Sequence, residues 1–178
     1  MTTYAIHEQT LADYQAMPTK DLVEFIAENF HEKHRAQLPE LIILARKIEE
    51  VHHDHNACPT GLNELLQTVY QELESHMLKE EQILFPMLAG GIFPQGPIAV
   101  MEEEHEHHEQ LIEQLLALTN QCQPPTDACG SWLTLYTQLA DFIFDLHQHI
   151  ALENTVLFKQ PAAAAGHHGN GHCCGGCQ

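Results

Sequence analysis

The sequence predicts an all-α protein, a four-helix bundle, and two observations support this prediction. Four long stretches contain few glycines and repeat their apolar residues with the period of a helix, and segments rich in Pro, Gly, Asn and Asp separate them. Alternating β-branched residues, the usual sign of strands, are missing from the sequence. At 178 residues the chain fits one domain, which buries roughly 70% of the surface that its unfolded form exposes.

The predicted bundle helices follow one another at 19 to 52, 60 to 89, 96 to 121 and 127 to 158. A short helix is expected ahead of them, within residues 5 to 16, because Pro18 follows it and disfavours its continuation. The chain is therefore expected to comprise a lead-in segment, the bundle and a flexible Cys/His tail, at 1–18, 19–158 and 159–178.

The second and fourth helices carry regular apolar stripes, each interrupted by a His and a Glu. The inward positions expected for the second are Leu66, Val69, Leu73, His76, Glu80, Ile83 and Met87. Those expected for the fourth are Trp132, Leu135, Leu139, Phe142, Leu146, His149, Glu153 and Val156. Burying an ionised Glu without a partner is costly, so the same interruption in two helices indicates a bound cation.

The sequence also contains an internal repeat. Residues 76–85 (HMLKEEQILF) align without gaps to residues 149–158 (HIALENTVLF), with a His, a Glu, a Leu and a Phe at matching places. Residues 31–34 (HEKH) likewise match residues 105–108 (HEHH). The chain is therefore expected to be a duplicated helical hairpin with approximate two-fold symmetry, in which each ligand set occurs twice.

A His and a Glu four residues apart project from one face of a helix, so each motif delivers an imidazole and a carboxylate into the same cavity. Adding one His from each of the other two helices gives four imidazoles and two carboxylates, a set that suits two metal ions bridged by two carboxylates. Because these ligands include no thiolate, iron or manganese is favoured and zinc is an alternative. The spacing leaves open whether the matched pair is His31 with His105 or His34 with His108.

Five segments give the sequence a likeness to a known family: residues 31–35 (HEKHR), 37–41 (QLPEL), 75–86 (SHMLKEEQILFP), 96–102 (GPIAVME) and 149–154 (HIALEN). Over about residues 15 to 158 the chain resembles the repair-of-iron-centres family of hemerythrin-like di-iron proteins. The resemblance implies a hemerythrin-like up-and-down bundle with two Fe ions in an oxo- and carboxylate-bridged centre. The ligands that it implies are His31, His76, Glu80, His105, His149 and Glu153.

The resemblance further implies that Glu72 and Glu104 line a polar path to the metals. Family members carry a small N-terminal domain with a Cys-Cys-Gly-Gly motif, and this chain has that motif at residues 173–176 instead. We therefore expect the Cys173 and Cys174 thiols to reach the di-iron site from the C-terminal tail and to take part in redox or transfer chemistry. A separate metal site in the tail is the alternative.

Charge and composition narrow the range of partners. The chain has 7 Lys and Arg against 25 Asp and Glu, a formal net charge of −18 that repels nucleic acids and anionic membrane surfaces. The N-terminal residues lack the basic and apolar runs of a signal peptide, so a cytoplasmic location with reduced thiols is expected. The oligomeric state stays open, with a homodimer as one candidate.

The leading hypothesis follows the family: a stress-response protein that supports repair of iron-sulfur clusters damaged by oxidation or nitric oxide. Its partners would be damaged iron-sulfur proteins or an iron acceptor, together with NO and O₂. Whether it is an enzyme stays open, with NO reduction as the candidate reaction. A hemerythrin-type protein that only binds or senses O₂ or NO is the alternative. An iron-storage bundle ranks last, because it predicts Glu-x-x-His motifs.

Overall fold

The computed structural model describes residues 11–159, and all the regular elements in that span are helices. A short helix, α1 (Leu11–Ala16), precedes the bundle. Helix α2 covers 19–51 and helix α3 covers 62–89. Helix α4 is Gln95–Leu118, and helix α5 covers 130–157. The prediction of an all-α bundle is therefore confirmed for the described residues.

Three of the long helices contain one π-helical turn each. In α2 the turn Ala27–His31 lies between the α-helical parts Thr19–Ile26 and Glu32–Val51. In α3 the turn Glu80–Leu84 lies between Leu62–Lys79 and Phe85–Ala89. In α5 the turn Glu153–Leu157 follows Gly130–Leu152 and ends the helix. A π-helical turn adds one residue to the repeat of the helix, so it changes which residues face inward beyond it.

This change of register makes part of the predicted inward stripe wrong. Ile83 was expected inside and is 56% exposed, while Leu84 is buried instead. Val156 likewise lies only half-buried, and Leu157 takes the buried place. Met87 is half-buried next to the fully buried Leu88. The inward positions before each turn, up to Glu80 and Glu153, are buried as predicted.

Neighbouring helices of the bundle run antiparallel. Cross-helix pairs show this directly, since Arg35 contacts Glu74 while Glu49 contacts Asn63, further along α2 but earlier in α3. Helix α2 packs against α3 and α5, and α4 packs against the same two helices. Consecutive helices thus alternate in direction around the bundle, which is the up-and-down arrangement that short connections favour.

The loop between α4 and α5 begins earlier than the sequence predicts. Three consecutive residues, Asn120, Gln121 and Cys122, have positive φ values of 50°, 59° and 55°. Such left-handed conformations cannot continue an α-helix, and they end α4 at Leu118 rather than at residue 121. The Thr119 hydroxyl accepts a hydrogen bond from the Cys122 backbone N–H at 3.2 Å, which stabilises this turn.

Two apolar clusters fill the bundle and leave a polar layer between them. The larger one, which we name the closed-end core, lies toward the α2–α3 and α4–α5 loops and includes Leu66, Trp132 and Phe142. The smaller one lies at the other end and includes Ile26 and Leu88. Within residues 11–159, no helix is both long and apolar enough to cross a membrane.

Candidate metal centre

Six polar side chains from the four bundle helices meet in the layer between the apolar clusters. Each of them is at most 2% exposed: His31, His76, Glu80, His105, His149 and Glu153. They form two groups whose potential ligand atoms lie within 4.8 Å of one another. One group contains His31 and His149, the other contains His76 and His105, and both contain Glu80 and Glu153. We name these the 31/149 group and the 76/105 group.

The two π-helical turns of α3 and α5 begin at the shared glutamates. Glu80 starts the turn in α3 and Glu153 starts the one in α5, each four residues after a histidine of the site. Backbone bonds from Phe85 to the Glu80 carbonyl and from Phe158 to the Glu153 carbonyl close these wide turns. The repeated sequence therefore gives repeated backbone geometry, and it brings both carboxylates into one cavity.

Hydrogen bonds on the outer side fix three of the four imidazoles. The Nδ1 atom of His31 donates to Glu81 Oε1 at 2.7 Å, and that of His76 donates to Glu104 Oε2 at 2.9 Å. The Nδ1 atom of His105 donates to Asn154 Oδ1 at 2.9 Å. Each of these rings thus presents its Nε2 lone pair to the interior. Hydrogen bonds to the outer nitrogen orient histidines in this way for metal binding.

The inward-facing nitrogens face one another at short range. Nε2 of His76 lies 3.1 Å from Nε2 of His105, and Nε2 of His31 lies 3.1 Å from Nε2 of His149. When both rings of the 76/105 group are neutral, their protons lie on Nδ1 and two Nε2 lone pairs point at each other. A cation or an added proton between them removes this repulsion.

The carboxylates also lack adequate partners. All four side-chain oxygens of Glu80 and Glu153 are buried and have no hydrogen bond of good geometry among the described residues. The imidazole nitrogens of the site approach them at 3.2 to 3.5 Å. Buried polar atoms in proteins are nearly always satisfied, so these four orphaned oxygens fit the binding of cations. The donor set fits two metal ions.

The two buried glutamates differ in charge state because their neighbours differ. Burial, together with the nearby Glu153 carboxylate, raises the pKa of Glu80 well above its usual value. Burial opposes ionisation of Glu153 as well, but His149 and His105 outweigh it and hold the pKa of Glu153 well below its usual value. Without metal, the two carboxylates thus carry about one negative charge together, and bound cations would restore the second.

Two imidazoles of the site, those of His31 and His76, stay neutral near pH 7. Burial, with repulsion from His149, lowers the pKa of His31 to about 4. Burial also lowers the pKa of His76 to about 4, with a contribution from His105. Burial also acts to lower the pKa of His105, but the Glu153 carboxylate outweighs this effect and the pKa of His105 is raised. Neutral imidazole is the form that binds metal, so His31 and His76 are available as ligands at physiological pH.

Charged residues behind the ligands were not identified from the sequence. Arg35 donates two hydrogen bonds to Glu81, at 2.9 and 3.1 Å, and a third to Glu74 at 2.9 Å. Lys79 pairs with Glu104 in the same way on the other half of the site. The positions of Glu81 and Asn154 could have been found from the repeat, because each directly follows a shared glutamate.

Glu104 and Glu72 lie on the outer side of the site. Glu104 binds His76 and Lys79 and is partly exposed. The Glu72 carboxylate lies 2.8 Å from Nε2 of His107, and both side chains are partly exposed. Glu104 thus touches a ligand candidate directly, whereas Glu72 lies one helical turn before His76 in α3 and contacts His107. Cys173 and Cys174 lie outside the described residues.

The alternative histidine pair is buried beside the site. His34 and His108 are 0% and 3% exposed, and neither belongs to a ligand group. Their rings lie 5.3 Å from His149 and 4.9 Å from His76, measured between centroids. This geometry supports the choice of His31 with His105.

Comparisons with known proteins place this chain among cation-binding proteins. Residues 25–160 match the family described as the hemerythrin HHE cation binding domain. An iron-sulfur cluster repair protein YtfE from Musicola paradisiaca is 47% identical over 150 residues, which cover 83% of this chain and 68% of that protein. One from Dickeya chrysanthemi is 46% identical over 153 residues, covering 85% and 69%. A probable iron-sulfur cluster repair protein from Haemophilus influenzae is 47% identical over 150 residues, covering 83% and 67%.

Proposed function

Since this chain belongs to the hemerythrin HHE cation-binding family and to the iron-sulfur cluster repair proteins within it, we propose that it is a di-iron protein that repairs iron-sulfur clusters damaged by oxidative or nitrosative stress. The observation that carries the proposal is the pair of buried ligand groups that share Glu80 and Glu153. Two shared carboxylates with two imidazoles for each ion match the donor set that iron accepts.

In this proposal each residue of the site has a defined role. His31 and His149 would hold one iron ion, and His76 and His105 would hold the other. Glu80 and Glu153, which both groups share, would contribute ligands to both ions, and the ions would supply the charge compensation that these buried carboxylates need. Bound iron would supply electron transfer and affinity for NO and O₂, while the protein residues hold the ions and shield them from bulk water.

Glu104 and Glu72 are proposed to connect the site with the surface. Glu104 touches His76 on one side and the partly exposed Lys79 on the other, so it links a ligand to the solvent. Glu72 extends this polar surface by one helical turn through its contact with His107. Carboxylates along such a route attract cations and transfer protons.

The acceptor of iron is proposed to be a damaged iron-sulfur protein. The names of the relatives favour a function in cluster repair over a function limited to binding O₂ or NO. Cys173 and Cys174 of the Cys-Cys-Gly-Gly motif would act as an intermediate acceptor, because thiolates bind iron and exchange it with other thiolates.

The experiment combines iron loading with transfer. The full chain is loaded with Fe²⁺ without oxygen, its metal content is measured, and it is mixed with an apo iron-sulfur protein, sulfide and a thiol reductant. We expect about two irons per chain and recovery of the cluster absorbance at the expense of the bound iron. Two controls accompany the experiment. One is a Glu80→Ala variant, and the other is Fe²⁺ held by a chelator at the same total iron concentration.

Two outcomes would contradict the proposal. Fewer than two irons in the well-folded wild-type chain would reject the di-iron assignment. A chain with two irons that forms a reversible O₂ adduct, yet restores no cluster in any acceptor tested, would favour the binding protein instead.

A further inference from the structure

The two halves of the site match in their ligands but differ in the partners behind them. In each half one imidazole donates from Nδ1 to a carboxylate that also contacts a cation: His31 to Glu81, backed by Arg35, and His76 to Glu104, backed by Lys79. The second imidazole of the 76/105 group donates to Asn154. The difference between the halves therefore lies in the remaining ring, His149.

Nδ1 of His149 is buried and has no hydrogen-bond partner in the part of the chain described here. The sequence repeat explains why. His76 is held by Glu104, which directly precedes His105, and the residue that directly precedes His31 is Phe30. Phe30 stacks on the His149 ring at 5.3 Å with an angle of 10° between the planes. An aromatic ring thus stands where the other half has a hydrogen-bond acceptor.

This substitution changes what metal binding requires. When Nε2 of a neutral imidazole binds metal, its proton must sit on Nδ1. For His76 and His105 an acceptor is already in place, whereas for His149 the N–H would be buried without one, which is unfavourable. Without metal, His149 can instead carry the proton on Nε2 and donate it to Nε2 of His31 at 3.1 Å.

We propose that the two iron positions differ in affinity, with the 76/105 group holding the retained ion and the 31/149 group the ion that is released, and that Phe30 sets this difference. The inference rests on the proposed function, because it specifies which ion a repair protein transfers. Phe30 is a positioning residue that acts through His149. Outer hydrogen bonds to ligating histidines typically change metal affinity 10- to 100-fold, so a difference of about that size is expected.

The test is a titration of the metal-free full chain with Fe²⁺ under anaerobic conditions, in competition with a chelator. Wild type is expected to bind one ion about 10- to 100-fold more tightly than the second. Phe30→Gln provides an acceptor with the same reach as Glu104, and it should strengthen the weaker step about tenfold or more without changing the tighter one. Phe30→Leu removes the ring without providing an acceptor, so it should leave the weaker step weak.

A second variant tests the other half independently. Asn154→Leu removes the acceptor of His105 and should weaken the tighter step toward the weaker one, whereas Phe30→Gln acts on the opposite group. Equal affinities of the two steps in wild type would overturn the inference while the di-iron function stands. The same holds if Phe30→Gln alters the tighter step, or if it alters neither step. Binding of fewer than two irons by wild type would instead overturn the proposed function on which the inference rests.

Discussion

The closed-end core and the metal-site layer are equally buried, but they differ in what their burial does. The core places Leu66, Trp132 and Phe142 at 0 to 1% exposure, and apolar burial of this kind stabilises the fold without any ligand. The site layer buries glutamates and histidines just as completely, and their desolvation is unfavourable until a cation compensates it. The first region therefore holds the bundle together, while the second is expected to depend on its ligand for its stability.

The largest expected effect is the loss of bound iron when a ligand of the site layer is replaced. Glu153→Ala should lose nearly all bound iron, because this residue belongs to both ligand groups, and His76→Ala should lose at least one iron of two. Metal analysis of purified protein measures both. His53→Ala is the matched control, since this histidine is 70% exposed in the α2–α3 loop and should leave the iron content unchanged.

Retention of two irons per chain by His76→Ala would show that the 76/105 group is not a ligand set. A loss of iron in the His53→Ala control would instead point to a general effect of histidine removal on the protein.

Removal of the metal should come next in size. A ligand present at about 1,000 times its dissociation constant contributes about 4 kcal/mol, which corresponds to roughly 10 °C in Tm for a domain of this length. Thermal unfolding followed by circular dichroism, with and without a chelator, measures this difference. An unchanged Tm after verified removal of iron would mean that the site layer is stable by itself.

The contrast between these regions also shows what the sequence could predict. Helical periodicity was sufficient for the four helices, and the repeated His-x-x-x-Glu spacing was sufficient to name His76, Glu80, His149 and Glu153 as candidate ligands. Both signals are local, because they depend on residues within a few turns of one helix. The choice between His31 and His34 needed the family resemblance.

Other features depend on more than one helix and were not predictable in the same way. The π-helical turn that begins at Glu80 moves Ile83 to the surface. The Glu80 carboxylate joins a ligand group whose other members lie mostly on other helices, so the register of this turn depends on more than its own helix. Arg35 was indistinguishable from an ordinary surface residue until the fold brought it to Glu81. Phe30 is not part of any motif in the sequence, and its contact with His149 appears only in three dimensions.

A cavity in the closed-end core should have a somewhat smaller effect and no influence on the metal. Leu66→Ala removes a fully buried side chain, and such changes cost about 3 kcal/mol. Denaturant unfolding measures this cost, and metal analysis should still find wild-type iron content. Leu133→Ala is the matched control, because Leu133 lies in the bundle helix α5 but is 47% exposed. It should change the unfolding free energy by less than about 0.5 kcal/mol. Loss of iron in Leu66→Ala would mean that the two regions are not separable.

The smallest expected effect is a pH dependence of the metal-free protein, and it belongs to the site layer. Burial lowers the pKa of four imidazoles in or beside the site layer. The pKa is about 4 for His31 and His76 and about 3 for His108. The pKa of His34 is also lowered well below its usual value. These groups take up protons on unfolding between pH 6.5 and 4, so acidification destabilises the fold.

Glu80 and His105 act in the opposite direction, because their pKa values are raised and the folded form holds those protons more tightly. Four imidazoles outweigh these two groups, so lowering the pH from 7 to 6 should cost on the order of 1 kcal/mol, or a few degrees in Tm. Thermal unfolding of the chelator-treated protein at both pH values measures the change. His108→Phe removes one of the four groups and should make the slope shallower, whereas Leu66→Ala should keep the wild-type slope. A Tm that rises on acidification would show that the raised groups dominate and that the buried imidazoles do not control the stability of this layer.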